Sequence, residues 1–230
     1  MVYNHEHMPK SIGIILDGNR RYARQRGLPT LEGHRRGFEA LKVIAKHASQ
    51  IGLKHMAVYA FSTENWNRSE DEVSYLMDLF REVLQSATGE LGKESIKIKI
   101  VGQKDRFAQD IQDLIKQAED NTRENTAMTL WIALSYGGRA EITQAAQSAV
   151  ATKKPISSES DFKHFLWSAD LPDLDIVIRT GGERRLSNFF LWHSAYAELF
   201  FLDKYWPEFE PEDLDAVLRE YAQRDRRMGK

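Results

Sequence analysis

The sequence contains no cysteine. That excludes disulfides, thiolate metal sites and cysteine nucleophiles, and it suits a reducing compartment. No apolar run approaches the roughly 18 residues that a membrane-spanning helix needs. Met1 to Lys10 is polar and lacks the apolar core of a secretory signal, so a cytoplasmic location is the expectation. Net charge is only -2, which leaves no global basic field for nucleic acid. A basic cluster is confined to the end of the chain, at Arg224, Arg226, Arg227 and Lys230. No strand-like run leads into Gly-x-Gly-x-x-Gly, and neither Gly-Lys-Ser nor Gly-Lys-Thr occurs, so a dinucleotide fingerprint and a P-loop are both absent. A phosphatase of the Asp-x-Asp-Gly type is also excluded, because Ile15 stands where the nucleophile would be.

What the chain does have is alternation. It has 230 residues, 42% of them hydrophobic, enough for a sizeable core. Short apolar runs read as buried strands at Ile12–Leu16, Met56–Phe61, Ile96–Val101, Thr129–Leu134, Leu174–Ile178 and Glu198–Phe201. Three- and four-residue spacing predicts helices over Gly33–Ile51, onward from Val73, and over Asp105–Arg123, Ala140–Ala151 and Glu212–Arg227. Ser69 and Glu72 have the spacing of a capping box ahead of the second of these. Arg20–Arg26 reads as a short polar stretch, Ser62–Arg68 as a loop, Lys153–Ser160 as a connector and Ser187–Tyr196 as a further helix. Strands alternating with helices predict an α/β fold: a single domain over residues 1–230 with a mostly parallel, twisted six-stranded sheet flanked by helices.

Polar residues that could do chemistry cluster after four of these strands, on the sheet edge where open α/β folds bind ligands. Asp17-Gly18-Asn19-Arg20-Arg21 follows the first strand. A lone acid beside two guanidinium forks suits a metal plus a phosphate, although a capped turn with solvated arginines would look the same. Ser62 to Arg68 follows the second strand, and Tyr136-Gly137-Gly138-Arg139 the fourth. Arg179-Thr180-Gly181-Gly182-Glu183-Arg184-Arg185-Leu186-Ser187-Asn188 follows the fifth. Glycines that bare backbone N–H groups, arginines, and a serine placed to open a helix suit a diphosphate. His34, read as starting a helix beside Gly33, is a candidate phosphate donor or proton carrier. Trp66 could stack on a substrate or anchor its loop. Glu198 is an acid inside an apolar run, which calls for a metal or an ion pair.

Together these segments resemble the cis-prenyltransferases, the undecaprenyl diphosphate synthases in particular. The likeness runs from about Ile12 to Arg227 and is carried by Leu16 to Arg21, Gly33-His34, Tyr59 to Arg68, Tyr136 to Arg139, Ile178 to Asn188 and Ala195 to Leu199. It implies an Mg²⁺-dependent homodimer that condenses isopentenyl diphosphate onto an allylic diphosphate such as farnesyl diphosphate. It also implies an apolar tunnel for a long product and transient membrane contact at the tunnel mouth. Shorter products or a non-catalytic partner subunit are the alternatives. Carried over by residue, Asp17 would coordinate Mg²⁺ and assist departure of the diphosphate. Gly18, Asn19, Arg20, Arg21, Tyr22, Thr30 and His34 would hold the allylic diphosphate. Asn65 would take part in proton removal, with a water or a diphosphate oxygen as the final acceptor. Ser62, Thr63, Glu64, Trp66 and Arg68 would form a mobile loop over the substrates. Arg179, Arg185, Leu186 and Ser187 would bind isopentenyl diphosphate. Glu198 would be a second metal-associated carboxylate, and Arg224 to Arg227 would reach the partner subunit. Three departures stand out: Arg20 replaces the usual glycine, Tyr22 replaces tryptophan, and Thr30 stands where many members have arginine. Ala60, small where short-product members are bulkier, implies an open tunnel.

Overall fold

Gly13 lets the first strand pass close beneath two side chains. A Cβ there would stand 2.7 Å from the Phe189 ring and 2.8 Å from Leu174, so only glycine lets β1 (Ser11–Ile15) lie under those side chains. Every residue of β1 is buried, as expected of a strand covered on both faces. In the computed structural model, which describes residues 8–153 and 155–224 and omits the side chains of 86–93, β1 lies inside a six-stranded sheet. The other strands are β2 (His55–Ser62), β3 (Ile96–Val101), β4 (Met128–Tyr136), β5 (Ile176–Arg179) and β6 (Glu198–Phe201). Their order is β3-β4-β2-β1-β5-β6, and every pairing is parallel.

Helices cover both faces. They are α1 (Asn19–Gln25), α2 (Thr30–Gln50), α3 (Glu70–Lys93), α4 (Gln109–Asn121), α5 (Gly138–Thr152), α6 (Glu159–Lys163) and α7 (Pro211–Gln223). Ile12, Ile14, Met56 and Val58 point into one core with Ile44, Phe80, Ile111 and Leu218. Ala57, Val177 and Tyr136 point into the other with Leu171, Leu174, Phe189 and Phe190. Among the described residues, no helix is long and apolar enough to cross a membrane.

Several local expectations need correction. The polar stretch after Gly18 is a helix, α1, with Tyr22 and Ala23 buried. Helix α2 begins at Thr30, three residues before Gly33, so Gly33 and His34 lie inside it. Its glycines mark a helix crossing: a Cβ on Gly33 would lie 2.1 Å from the Asn19 carbonyl, and one on Gly37 would lie 2.4 Å from Asn19 Oδ1. Tertiary contact overrides the helix-breaking tendency. Asp105 falls in a short 3₁₀ turn ahead of α4. Residues 63–67 form a 3₁₀ turn rather than an open loop. Ser187–Tyr196 is no helix: Ser187, Asn188 and Phe190 have φ of 48°, 68° and 34°, the left-handed region that breaks a right-handed helix.

Candidate active site

The carboxyl ends of β1, β2 and β5 meet over one cleft of about 580 Å³, while Tyr136–Arg139 after β4 lie outside its lining. Asp17 stands at its centre. Gly18 turns the chain sharply with φ of 108°, and a Cβ there would stand 2.7 Å from the Tyr205 ring. The Asp17 carbonyl is held by Thr180 Oγ1 at 2.7 Å and by the Trp206 N–H at 3.0 Å, so the acid is fixed by the two segments that flank β6. Its carboxylate accepts from Arg21 Nη2 at 3.0 Å and from Arg179 Nη2 at 2.8 Å.

Arg179 ends β5 with only 4% of its surface exposed. Its Nη1 donates to the Arg185 carbonyl at 2.6 Å and to Ser187 Oγ at 2.7 Å, while its Nε has no partner. This arginine therefore both orients Asp17 and shapes the glycine-arginine loop. Glu183 extends the chain of charge, 3.5 Å from Arg21 Nη1 and 2.5 Å from Arg185 Nη1. Arginines and carboxylates thus alternate along the cleft: Arg185, Glu183, Arg21, Asp17, Arg179. Each guanidinium has five donors and spends few of them on its acid, which leaves an array suited to a polyanion.

The expected residues divide into those the fold assembles and those it turns away. Asn19, His34, Ser62, Glu64, Asn65 and Arg68 line the cleft, as do Arg185 and Ser187. Gly18, Arg20 and Arg21 line an adjoining hollow of about 420 Å³, which shares Asp17, Asn19, His34 and Arg68. Five others do not reach either space. Tyr22 is buried beneath Arg26, whose guanidinium lies 4.2 Å from the ring centre. Thr30 is exposed at the start of α2. Thr63 turns to Glu64 and Gly137. Trp66 donates to Ser135 Oγ at 2.9 Å and packs on Phe61 and Phe107, so it anchors its segment and does not present a stacking face to the cleft. Leu186 packs into the second core.

Asn65 Oδ1 accepts the Ser62 N–H at 3.0 Å. That bond fixes the amide at the mouth of the cleft with both N–H donors and the second lone pair of Oδ1 still unspent. Glu198 lies at the opposite end of the strands from Asp17. It pairs in register with Ile176 at the start of β5, whereas Asp17 follows Ile15, which pairs with Arg179 at the end of β5. In a parallel sheet the two carboxylates are at opposite edges and cannot share an ion within one chain. Glu198 instead accepts from Arg224 Nη1 at 2.7 Å, and that guanidinium lies 3.9 Å from the Phe200 ring centre. Arg226 and Arg227 lie outside the described residues. Among the described residues no group of three or more His, Asp or Glu side chains forms a metal site. A hard cation held by Asp17 together with substrate oxygens still fits this donor set.

Burial, and then the charge of Arg68, lower the pKa of His34, which favours its neutral form. Burial opposes the charge on Glu64, but hydrogen bonds from its own backbone, Asn188 and Thr63 hold its pKa below the ordinary carboxylate value. Asn188 was not singled out by sequence, yet it cross-braces three strand ends. Its Nδ2 donates to Glu64 at 3.2 Å, its Oδ1 accepts the Arg139 N–H at 2.8 Å, and its carbonyl accepts the Gly138 N–H at 2.8 Å. The signal was its place directly after Ser187, in a left-handed conformation that asparagine tolerates.

Beyond Leu16, Ala60 and Leu76 the polar cleft passes into an apolar cavity of about 90 Å³ between α2, α3 and the sheet. Phe38, Leu41, Phe80, Ile132 and Trp206 are among its walls.

Comparison with known proteins agrees with this geometry. Residues 15–229 match the family described as "Putative undecaprenyl diphosphate synthase". The isoprenyl transferase of Neisseria meningitidis serogroup A is 44% identical over 229 residues, covering 100% of this chain and 92% of that protein. The ditrans,polycis-undecaprenyl-diphosphate synthase ((2E,6E)-farnesyl-diphosphate specific) of Micrococcus luteus is 41% identical, covering 98% and 93%. The crystal structure of lavandulyl diphosphate synthase from Lavandula x intermedia, in complex with dimethylallyl diphosphate, superposes with a TM-score of 0.94 at 36% identity, covering 98% of this chain and 100% of that one.

Proposed function

The chain belongs to the undecaprenyl diphosphate synthase family of prenyltransferases, and from that premise we propose that it lengthens an allylic diphosphate, farnesyl diphosphate foremost, with isopentenyl diphosphate units to a long cis-polyprenyl diphosphate. One observation carries the reading. Asp17, braced between Arg21 and Arg179, stands in a polar cleft that opens past Ala60 into an apolar cavity. A diphosphate head and a hydrocarbon tail need that juxtaposition.

Arg21, Arg20 and the Gly18 turn hold the allylic diphosphate, and Arg185 with Ser187 holds the isopentenyl diphosphate across the cleft. Mg²⁺, bound by Asp17 and diphosphate oxygens, would neutralise charge building on the leaving group. The arginines add fixed positive charge where that anion develops. Asn65 orients substrate through its N–H donors, and the proton leaves to water or to a diphosphate oxygen.

The apolar cavity of about 90 Å³ is smaller than the roughly 150 Å³ that accommodates a benzene ring. A growing prenyl chain must therefore part α2 from α3 as it enters. That narrowness also favours a second reading, a short product, which product sizing distinguishes. We further propose a homodimer formed through the β6 edge, supported by Tyr196 and Leu199, which are 77% and 37% exposed there. Light scattering of the purified protein tests it. A cytoplasmic enzyme accords with the absence of cysteine.

The deciding experiment incubates the protein with farnesyl diphosphate, labelled isopentenyl diphosphate and Mg²⁺, and sizes the extracted lipid, with Asp17→Ala in parallel. A labelled polyprenyl product lost in the variant supports the reading; no product with any allylic primer overturns it. Ala60→Leu should shorten the product by blocking the cavity mouth. Unchanged length would remove Ala60 from the argument.

A further inference from the structure

One carboxylate beside the cleft has no part in the reaction outlined above. Glu72 lies in the first turn of α3, with its side chain 11% exposed. Three basic groups from three elements converge on it. Arg68 Nη1 donates to Oε1 at 2.8 Å. Arg20 Nη1, from α1, stands 3.7 Å from Oε2. His34 Nε2, from α2, stands 3.4 Å from Oε1 without the geometry of a hydrogen bond, and is otherwise buried and unpartnered. The acid expected to pair with Ser69 in a capping box thus faces these basic groups.

The placement matters more than the pairing. Arg20, His34 and Arg68 all line the hollow beside Asp17, and Glu72 does not. The acid sits behind the two arginines and the imidazole and leaves their ligand-facing side open. It also offsets the repulsion between two guanidinium groups held near one another. Thr30 brings no cation to this hollow, and Arg20 does.

We propose that Glu72 is a positioning residue for the allylic diphosphate: from behind the hollow it holds Arg20, Arg68 and His34 so that their remaining N–H groups converge on one anion. This rests on the prenyltransferase reading. Glu72 touches no substrate; it fixes in advance the groups that do, so that binding does not have to order them.

The test uses the full chain with a thiolo analogue of farnesyl diphosphate, which binds without reacting, in titration calorimetry, together with steady-state kinetics for both substrates. Glu72→Gln should weaken analogue binding and raise the farnesyl diphosphate KM about tenfold, as for loss of a charge-assisted contact. The isopentenyl diphosphate KM and the melting temperature should stay close to those of the starting protein. Glu72→Asp should recover part of the loss. Arg20→Gly, at an exposed side chain, should weaken binding alone but add less in the Glu72→Gln background, because the two act through one contact. Unchanged or tighter analogue binding in folded Glu72→Gln overturns the proposal, as does an equal rise in both KM values. Analogue binding needs no turnover. A protein that binds the analogue yet makes no product would overturn the proposed activity and leave the role of Glu72 measurable.

Discussion

Asp17 and Glu141 are both acids held by several donors, and the contrast between their surroundings shows how this fold separates chemistry from support. Asp17 follows β1 with its side chain 28% exposed, and both oxygens are held by arginines. Glu141, in the first turn of α5, has no exposure. Its Oε2 accepts from the Tyr136 hydroxyl at 2.5 Å, and its Oε1 accepts from the Ser168 hydroxyl at 2.6 Å and N–H at 2.9 Å. Ser168 Oγ in turn lies 2.8 Å from His193 Nε2. Charged partners at an open cleft can be exchanged for a cation or a diphosphate, because each guanidinium stays solvated or finds another anion. Neutral partners in a sealed interior cannot be exchanged without leaving polar groups unpaired. Burial pushes the Glu141 carboxyl up and the Tyr136 phenol up with it. The Glu141 network ties α5 to the segment that returns from the arginine loop to β6, so it supports the site without entering it.

The largest effect that would sharpen this contrast is on rate. Asp17→Ala should lower turnover about a thousandfold and move the melting temperature by no more than about 3 °C. A variant that keeps its rate, or unfolds, breaks the assignment of Asp17 to chemistry. Glu141→Ala should do the reverse. It strands the Tyr136 hydroxyl and the Ser168 N–H, at about 3 kcal/mol of stability, while the folded fraction keeps most of its turnover. Urea unfolding with activity normalised to folded protein checks both halves, and a large rate loss without destabilisation would make Glu141 a functional acid.

The smallest effect is in pH. Burial, and then Lys163, lower the pKa of His193 to about 4. The folded chain therefore resists protonating this ring, while the unfolded chain protonates it near the ordinary histidine value of about 6.5. The stabilisation is present above about 6.5 and is lost as pH falls through about 4. His193→Gln, which keeps a donor toward Ser168, should flatten that part of the stability curve in denaturation measured from pH 7 to pH 4. An equally steep curve would place the acid sensitivity elsewhere.

Much of the architecture was legible in the chain. All six strands lie where apolar runs stood, two with the expected bounds and four shifted by a residue or two at their ends, because burial on both faces of a parallel sheet writes a continuous apolar signature. The strand-end position of Asp17 and the clustering of arginines after the fifth strand were legible for the same reason: a strand and the turn after it are neighbours in sequence. Asn188, the disposition of Trp66, and the start of α2 three residues ahead of Gly33 were not, because each depends on packing against residues far away in the chain.

The sequence by itself determined the fold class, the sheet edge that carries the site, the acid and arginines that define it, and the family. These follow from spacing, side-chain chemistry and motif, all of which are local. Only the tertiary structure decided which groups remain free to act. It tied the Asn65 amide to Ser62, sent Glu198 to the far edge with Arg224, turned Tyr22 and Trp66 away from the cleft, and set Glu72 behind three basic groups. Hydrogen bonds reach about 3 Å, and which atoms come that close is fixed by how α1, α2, α3 and the sheet pack, which no local window of sequence contains.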